Sequence, residues 1–198
     1  MIDSDRTDPA PPLRTDAARV ELVPVGPEHY EFLRRLEFGH LGTWWRSRGT
    51  VSSPEEFSAR IWAGVAVQCL GVGTEDGRPL VWLQCFNLDR ENDVASLAIA
   101  RLDGSVLSSR TAECVALFID YCFEHLGIRK LYVEMAEPNA LVVASAFGEL
   151  LIEEARMIDH IRVGKSYHDL IIAGLWRENW NTSRFRSSLL GSSRATVS

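Results

Sequence analysis

The chain has 198 residues, a formal net charge of −6 and a pI near 5.4, with 46% hydrophobic and 24% charged residues. This length predicts one domain with its own core, and the acidic balance argues against a broad phosphate-binding surface for nucleic acid. No apolar run approaches the roughly 20 residues of a membrane span, and the first residues carry Asp3, Asp5 and Asp8 where a leader would be basic and then apolar. We therefore expect a cytoplasmic protein without a nucleic acid or membrane partner.

Both ends of the chain are expected to be disordered tails. Residues 1–17 set prolines among charged and small polar residues, and residues 181–198 are dominated by Ser, Arg and Gly without an acid. Neither end has enough apolar side chains to offset the entropy of ordering. The sequence therefore predicts an ordered domain over residues 18–180.

The first half of this domain predicts a strand, two helices and a hairpin. Pro24 in the alternating strand indicates an edge, Pro27 opens the first helix, and Ser53 with Glu56 forms the capping box of the second. An Asp-Gly turn between two apolar runs predicts the hairpin. The expected bounds are 19–25 for the strand, 27–39 and 53–62 for the helices, and 65–74 and 80–88 for the hairpin.

The second half predicts an α/β arrangement with a mixed sheet. A third strand is followed by a long amphipathic helix that ends before Gly127, and a second hairpin turns at Gly164-Lys165-Ser166. The expected bounds are 94–102 for the strand, 109–125 for the helix, 131–135 for the next strand, 138–149 for another helix, and 155–176 for the hairpin.

Cysteines and histidines lack the spacing of a metal site, so we expect no metal. Each cysteine falls in an apolar strand or helix pattern, which predicts buried reduced thiols. A reactive thiol or a metal ligand is the alternative, but nothing around the cysteines indicates the electropositive setting that a thiolate requires. The cysteines are Cys69, Cys85, Cys114 and Cys122.

An anion site is predicted where the strand over 97–102 leads through a loop into the long helix. The start of a helix presents unpaired backbone N–H groups and the positive end of its dipole. Residues placed to surround a phosphate are Ser108, Ser109, Arg110, Thr111 and Ala112. In the alternative interpretation Ser108 or Ser109 only caps the helix, and Arg110 lies in solvent.

Three segments resemble the GNAT acetyltransferases, in the branch of the ribosomal-protein alanine acetyltransferases. They are 155–180, which ends in Arg-Glu-Asn-Trp, the run 123–134, and Glu137-Pro138-Asn139. The resemblance covers about residues 18–180 and implies one GNAT-fold domain of class α/β. In that fold a mixed, mostly antiparallel central sheet is flanked by helices on both faces. It also implies acetyl-CoA as co-substrate and no metal.

The resemblance assigns the cofactor to the predicted anion site, with one departure from the family. The family's Gly-rich pyrophosphate loop is written here without glycine, since its glycine and small-residue positions fall on Leu107, Ser109 and Thr111. Their Cβ atoms narrow the loop, while their hydroxyls and Arg110 offer donors in compensation. The backbone of Ile99, Ala100 and Arg101 is implied to hold the pantetheine arm. Asn139 is implied to lie near that arm, with helix capping as its alternative role.

Catalysis by direct transfer needs a base for the ammonium proton and an acid for the leaving thiolate. Glu134 is the candidate base if Val133 faces the core, and a surface carboxylate is the alternative. The tyrosine acid of many family members is missing, because Ala146 and Phe147 occupy its region. Ser145 or a water molecule is left as the acid.

The acceptor pocket is implied to involve Trp44 and Trp45, which follow the first helix, and Tyr167, which accompanies Asp169 in the last hairpin. The tryptophans are equally compatible with a core, and Tyr167 and Asp169 with ordinary structural roles.

These residues predict an N-acetyltransferase that moves an acetyl or other acyl group from acyl-CoA to a primary amine of a small molecule or protein. The alternative is a catalytically silent protein that keeps the fold for binding or as a scaffold. A homodimer built through edge strands and tryptophans is compatible with both.

Overall fold

The computed structural model describes residues 19–39, 53–102 and 108–191. The strands are β1 (Val20–Pro24), β2 (Val65–Gly73), β3 (Pro79–Asp89), β4 (Val94–Arg101), β5 (Lys130–Ala136), β6 (Leu151–Val163) and β7 (Ser166–Trp176). The α-helices are α1 (Tyr30–Gly39), α2 (Pro54–Arg60), α3 (Ser109–His125), α4 (Glu137–Val142), α5 (Arg177–Thr182) and α6 (Arg184–Leu190), and 3₁₀ turns occupy Pro27–His29 and Ala144–Ala146. Within these ranges, no helix has the length and apolar character to cross a bilayer.

The seven strands form one sheet in the order β1-β2-β3-β4-β5-β7-β6. Every neighbouring pair is antiparallel except β4 and β5, which run parallel because α3 connects them. β1 lies at one edge, as Pro24 predicts, and β6 lies at the other. The mixed, mostly antiparallel sheet expected from the sequence is confirmed.

Helices cover both faces of the sheet. On one face α3 packs its apolar side, including Phe118 and Phe123, into a core that also receives Trp180 and Leu190 from the C-terminal helices. On the other face, α1 and α2 pack Leu33 and Phe57 against β2 and β3. These two cores fix the position of the helices that flank β4.

A buried polar network ties α2 to the sheet. Gln68 Oε1 accepts hydrogen bonds from Trp82 Nε1 at 3.1 Å and from Gln84 Nε2 at 2.8 Å, and Gln68 Nε2 donates to the carbonyl of Ile61 at 3.3 Å. The reciprocal capping box of Ser53 and Glu56 starts α2 as predicted. The end of α2 is therefore held on the sheet by specific bonds as well as by packing.

The helix predicted over 138–149 is wrong beyond Val142. α4 contains six residues, the backbone leaves helical geometry at Val143, and Gly148 has a positive φ of 83°. The adjacent β-branched residues Val142 and Val143 weaken a helix, and Gly148 favours a turn. The chain therefore reaches β6 through a 3₁₀ turn.

The C-terminal tail predicted from residue 181 is wrong for the residues up to 191. α6 packs on α3, with Leu190 buried in the main core. Asp120 on α3 accepts hydrogen bonds from Arg186 Nε at 2.6 Å and from Trp180 Nε1 at 3.1 Å. One buried carboxylate therefore holds both C-terminal helices. Residues 192–198 and the whole predicted N-terminal tail, residues 1–17, lie outside the described residues.

Candidate active site

The sheet opens between β4 and β5. The two strands pair only from Val94 to Ser96 on β4 and from Lys130 to Tyr132 on β5. Beyond these residues β4 continues along β3, and β5 continues along β7. The carboxyl halves of β4 and β5 therefore diverge, and in the described sheet the backbone groups on their facing edges have no strand partner.

The residues predicted to hold a pantetheine arm lie along the open half of β4. Ile99 and Arg101 are exposed, Ile99 to 39%, and alternation places them on the face that carries α3. Ala100 is buried against Trp82 in the second core. The backbone of these residues borders the opening, so its position fits the prediction, while binding itself stays a prediction.

Ser108 caps α3, as the alternative interpretation held. Its hydroxyl accepts a hydrogen bond from the Thr111 N–H at 3.1 Å and lies 2.8 Å from the Thr111 hydroxyl, which is fully buried. The Ala112 N–H donates to the Ser108 carbonyl at 3.0 Å. Helix geometry then leaves the N–H groups of Ser109 and Arg110 without a helical acceptor. Among the contacts of the described residues, these two donors, and not the Ser108 and Thr111 hydroxyls, are left for an anion.

Arg110 has a partner that the sequence did not predict. Its guanidinium lies 3.6 Å from Asp76 in the β2–β3 turn and beside Gly73, where a Cβ atom would crowd it. A backbone hydrogen bond from Arg78, together with Arg110, lowers the pKa of Asp76. An anion at the start of α3 therefore competes with Asp76 for Arg110. Leu107 lies outside the described residues.

Glu134 meets the condition set for a base. Val133 packs against the main core, so Glu134 points to the opposite face of β5, and it is exposed. It lies two residues beyond the last pair of β4 and β5, where the strands have separated. The described part of the chain supplies no ion-pair partner for its carboxylate.

Asn139 and Ser145 are both exposed, and their roles at the cofactor and in catalysis stay predictions. α4 begins at Glu137 with Ala136 as N-cap and no side-chain cap, so Asn139 is its third residue and the capping interpretation is wrong. Ser145 lies in the 3₁₀ turn after α4 and not on the helix. Asn139 follows the open end of β5 closely, whereas Ser145 is separated from that strand by the whole of α4.

Tyr167 is 61% exposed on β7, next to a charged cluster that the sequence did not indicate. Arg156 contacts Glu153 at 2.9 Å, Asp169 at 3.1 Å and Glu137 at 3.2 Å. A hydrogen bond from the Asp159 N–H and the bond from Arg156 lower the pKa of Asp169. Asp169 therefore has the structural role that was the alternative for it, fixing the β6–β7 hairpin to α4. Trp44 and Trp45 lie outside the described residues.

A cluster of contacts around Lys130, also missed, lies where β5 is still paired with β4. Lys130 Nζ lies 2.5 Å from Glu154 and 2.9 Å from the Tyr132 hydroxyl, over the rings of Tyr132 and Trp176. Burial lowers the pKa of Lys130, but the bonds to Glu154 and Tyr132 outweigh it and the net pKa is raised. Gly174 makes room for Glu154, since a Cβ atom there would overlap the carboxylate. Such contacts join strands far apart in sequence, so no local pattern could have revealed them.

Solved structures match this chain although sequence comparisons do not: no protein-family model and no curated protein sequence matches. The spermidine N-acetyltransferase of Vibrio cholerae, in complex with CoA and spermine, has a TM-score of 0.66 at 13% identity, over 83% of this chain and 99% of its own. Mycobacterium smegmatis RimJ, in complex with CoA-disulfide, has a TM-score of 0.65 at 20% identity, over 95% and 96%.

A third solved structure, described as a probable acetyltransferase, has a TM-score of 0.64 at 19% identity, over 85% of this chain and 98% of its own. At these identities the likeness establishes the fold. The chain shares the architecture of these acetyltransferases over nearly their whole length, so the predicted fold class is confirmed.

Proposed function

We propose that this chain, which has the fold of the GNAT acetyltransferases, transfers an acetyl or other acyl group from acyl-CoA to a primary amine of a small molecule or protein. The divergence of β4 and β5 beside the start of α3 is the observation that carries the proposal. It provides an open strand edge for an extended arm and a helix N-terminus for a diphosphate in one place.

The cofactor would be held mainly by backbone groups. The open edge of β4 at Ile99, Ala100 and Arg101 would bind the pantetheine arm, and the N–H groups of Ser109 and Arg110 would bind the pyrophosphate. Asn139, exposed just beyond the end of β5, would lie near the thiol end of the arm. Backbone donors fixed in this way would also place the thioester for attack and stabilise its developing oxyanion.

Transfer would proceed in one direct step. The amine nitrogen forms a bond to the acyl carbon, and the bond from that carbon to the CoA sulfur breaks. Glu134 takes the proton of the ammonium group, directly or through water. The nitrogen gives up a second proton as the amide forms, and the thiolate gains one, with water or Ser145 as the carrier.

The four buried, unpaired cysteines fit a reducing compartment, so we place this activity in the cytoplasm. The acceptor would enter from the side of α1 and α2, where the sequence resemblance puts Trp44 and Trp45, with Tyr167 on the adjacent hairpin. A polyamine or a protein N-terminus falls within this class of primary amine, as the spermine in the complex of one of the matched enzymes illustrates.

A silent binding protein is the second candidate, and the α3 start favours it specifically. The Ser108 and Thr111 hydroxyls bond each other, and Arg110 is paired with Asp76. These contacts leave fewer free donors for a diphosphate than the sequence suggested. Such a protein would bind weakly or not at all at this site, without turnover.

Two measurements separate the candidates. Binding of CoA stabilises the folded state in proportion to the logarithm of ligand concentration over Kd, so the melting temperature should rise with CoA concentration. Acetyl-CoA with a panel of amines should then release free thiol. A melting shift without thiol release supports a silent protein that still binds CoA. No shift at millimolar CoA contradicts the transferase proposal and leaves the silent scaffold.

A further inference from the structure

The turn between β2 and β3 reaches the start of α3 and holds the Arg110 side chain. Asp76 Oδ2 in this turn lies 3.6 Å from Arg110 Nη2. Gly73 leaves the room for this contact, because a Cβ atom there would overlap the Asp76 carboxylate and lie 2.8 Å from Arg110 Nη1. The Asp76 and Arg110 side chains are 47% and 29% exposed, so the ion pair lies at the surface, where another anion can compete for it.

The turn fixes the Asp76 carboxylate independently of Arg110. Asp76 Oδ1 accepts a hydrogen bond from the Arg78 N–H at 3.1 Å. The turn itself is closed by a bond from the Gly77 N–H to the Gly73 carbonyl at 2.8 Å, and by one from the Gly73 N–H to the Arg78 carbonyl at 3.1 Å. One carboxylate oxygen is therefore used by the backbone of the turn, and the other is presented to Arg110.

Arg110 belongs both to this ion pair and to the proposed diphosphate site. It is the second residue of α3, and its own N–H is one of the two helix donors proposed for the diphosphate. Within the described part of the chain, Asp76 is its only ion-pair partner. A phosphate accepts charge-assisted bonds from a guanidinium as a carboxylate does. The same side chain therefore serves Asp76 or a phosphate at its own helix end, but not both fully.

We propose that Arg110 changes partner when acyl-CoA binds: it rests on Asp76 in the free chain and turns to the diphosphate in the complex. Binding then breaks the ion pair, so part of the interaction with the diphosphate is offset by the loss of Asp76. Asp76 thereby limits the affinity for acyl-CoA without being a ligand itself. Because the pair is exposed, the limit is a factor of at most about five in Kd.

The change of partner gives the site a charged donor where the glycine-rich loop of the family is missing. The N–H groups of Ser109 and Arg110 supply two donors, and the guanidinium adds a planar fork that suits phosphate oxygens. In the free chain the same guanidinium is paired, so the unliganded site does not carry an uncompensated charge. This inference deepens the proposed function and rests on it, because its ligand is the acyl-CoA of that proposal.

Calorimetry with CoA on single variants tests the role of Asp76. Asp76→Asn keeps an oxygen for the Arg78 N–H and removes the charge that holds Arg110, so it should lower the Kd for CoA by up to about fivefold. Glu75→Gln is the matched control, because it removes the same charge from the neighbouring exposed residue, which makes no ion pair with Arg110 in the described chain. Its Kd should equal the native value. Equal Kd values for the two variants would overturn the proposal.

A double-mutant cycle separates a change of partner from simple repulsion between Asp76 and the phosphates. Arg110→Gln should raise the Kd for CoA, because the guanidinium is lost as a ligand. With Arg110→Gln in place, Asp76→Asn should lose most of its effect, since no side chain is left to be released. Circular dichroism verifies that each variant is folded. If Asp76→Asn tightens binding as much without Arg110 as with it, Asp76 acts by repulsion and the change of partner is wrong.

A second ligand tests which phosphate Arg110 meets. Dephospho-CoA keeps the diphosphate and lacks the 3′-phosphate of CoA, so Asp76→Asn should lower the Kd of both ligands by the same factor. A gain confined to CoA would overturn the assignment to the diphosphate. The same titrations separate this inference from the proposed function. A native chain that binds CoA with the Kd of Asp76→Asn contradicts only the change of partner, whereas a native chain and variants that all ignore millimolar CoA contradict the cofactor site as well.

Discussion

Glu134 is the residue on which the proposed proton transfer depends. Its carboxylate is exposed beside the point where β4 and β5 separate, and within the described chain it has no ion-pair partner to hold it. We expect Glu134→Gln to lower kcat about 100-fold, because the amide has the same size but cannot accept a proton. Thiol release at saturating acyl-CoA measures this, and the melting shift with CoA should be unchanged.

Glu91→Gln is the matched control for that experiment. Glu91 is another exposed glutamate, in the turn between β3 and β4 and away from the opening. It should retain native kcat. If Glu134→Gln also retains it, Glu134 is a surface carboxylate, as the alternative interpretation held.

Ser109 tests the cost of the missing glycine in the pyrophosphate loop. Its N–H is one of two donors at the start of α3 that have no acceptor within the described residues, and its Cβ atom narrows the approach of a phosphate. Ser109→Gly should therefore lower the Kd for CoA several-fold, as measured by calorimetry. Ser109→Ala keeps the Cβ atom and removes only the hydroxyl, so it should not tighten binding. Equal effects of both changes would show that the Cβ atom is not the obstacle.

At the scale of elements, Asp120 holds α5 and α6 on α3. The side chain is 4% exposed and bonds both Trp180 and Arg186. Asp120→Ala should reduce the free energy of unfolding by about 3 kcal/mol in urea, because it removes one partner of a buried pair. Glu149→Ala, which breaks the exposed pair with Arg184 at 2.9 Å, should cost less than about 1 kcal/mol. Equal losses would contradict the anchoring role of Asp120.

Elements with local signals were predictable, and those fixed by distant contacts were not. The Asp-Gly hairpin, the Ser53 capping box and α3 follow from turn chemistry, capping and periodicity over a few residues. The helix expected over 138–149 ends at Val142 instead. The β-branched Val142 and Val143 weaken a helix there, and Gly148 favours a turn. α6 was missed because its segment looks polar, and its partner Asp120 is 66 residues away from Arg186.

The same distinction holds for the candidate site. The resemblance placed Ile99, Ser109 and Glu134 beside one opening, because the order of strands and helices decides which ends meet. The pairing of Arg110 with Asp76, and the contacts of Arg156 and Lys130, depend on side chains that meet across strands. Spacing along the chain carries no signal for such pairs.

At the scale of the whole molecule, the core between the sheet and α3 makes the free energy of unfolding depend on pH in the alkaline range. All four cysteines lie in it, and burial raises the pKa of Cys69 and of Cys114 to about 12 and that of Cys122 well above its usual value. In the unfolded chain the cysteine thiols ionise at about pH 8.5, so above that pH the folded state binds more protons than the unfolded state. The free energy of unfolding is therefore greatest below this pH. It should fall by up to about 1.4 kcal/mol per pH unit for each of these thiols up to about pH 12.

Urea unfolding at about pH 8 and about pH 10 measures this loss. Cys114→Ala removes one of the three shifted thiols, and the pH dependence of its stability should be shallower by up to about 1.4 kcal/mol per pH unit. The variant is also less stable at both pH values, since alanine leaves a small gap beside Gly71, but that loss does not change with pH. If the free energy of unfolding changes with pH as steeply in the variant as in the native chain, the Cys114 thiol ionises alike in the folded and unfolded chain. Water would then reach the contact between α3 and β2.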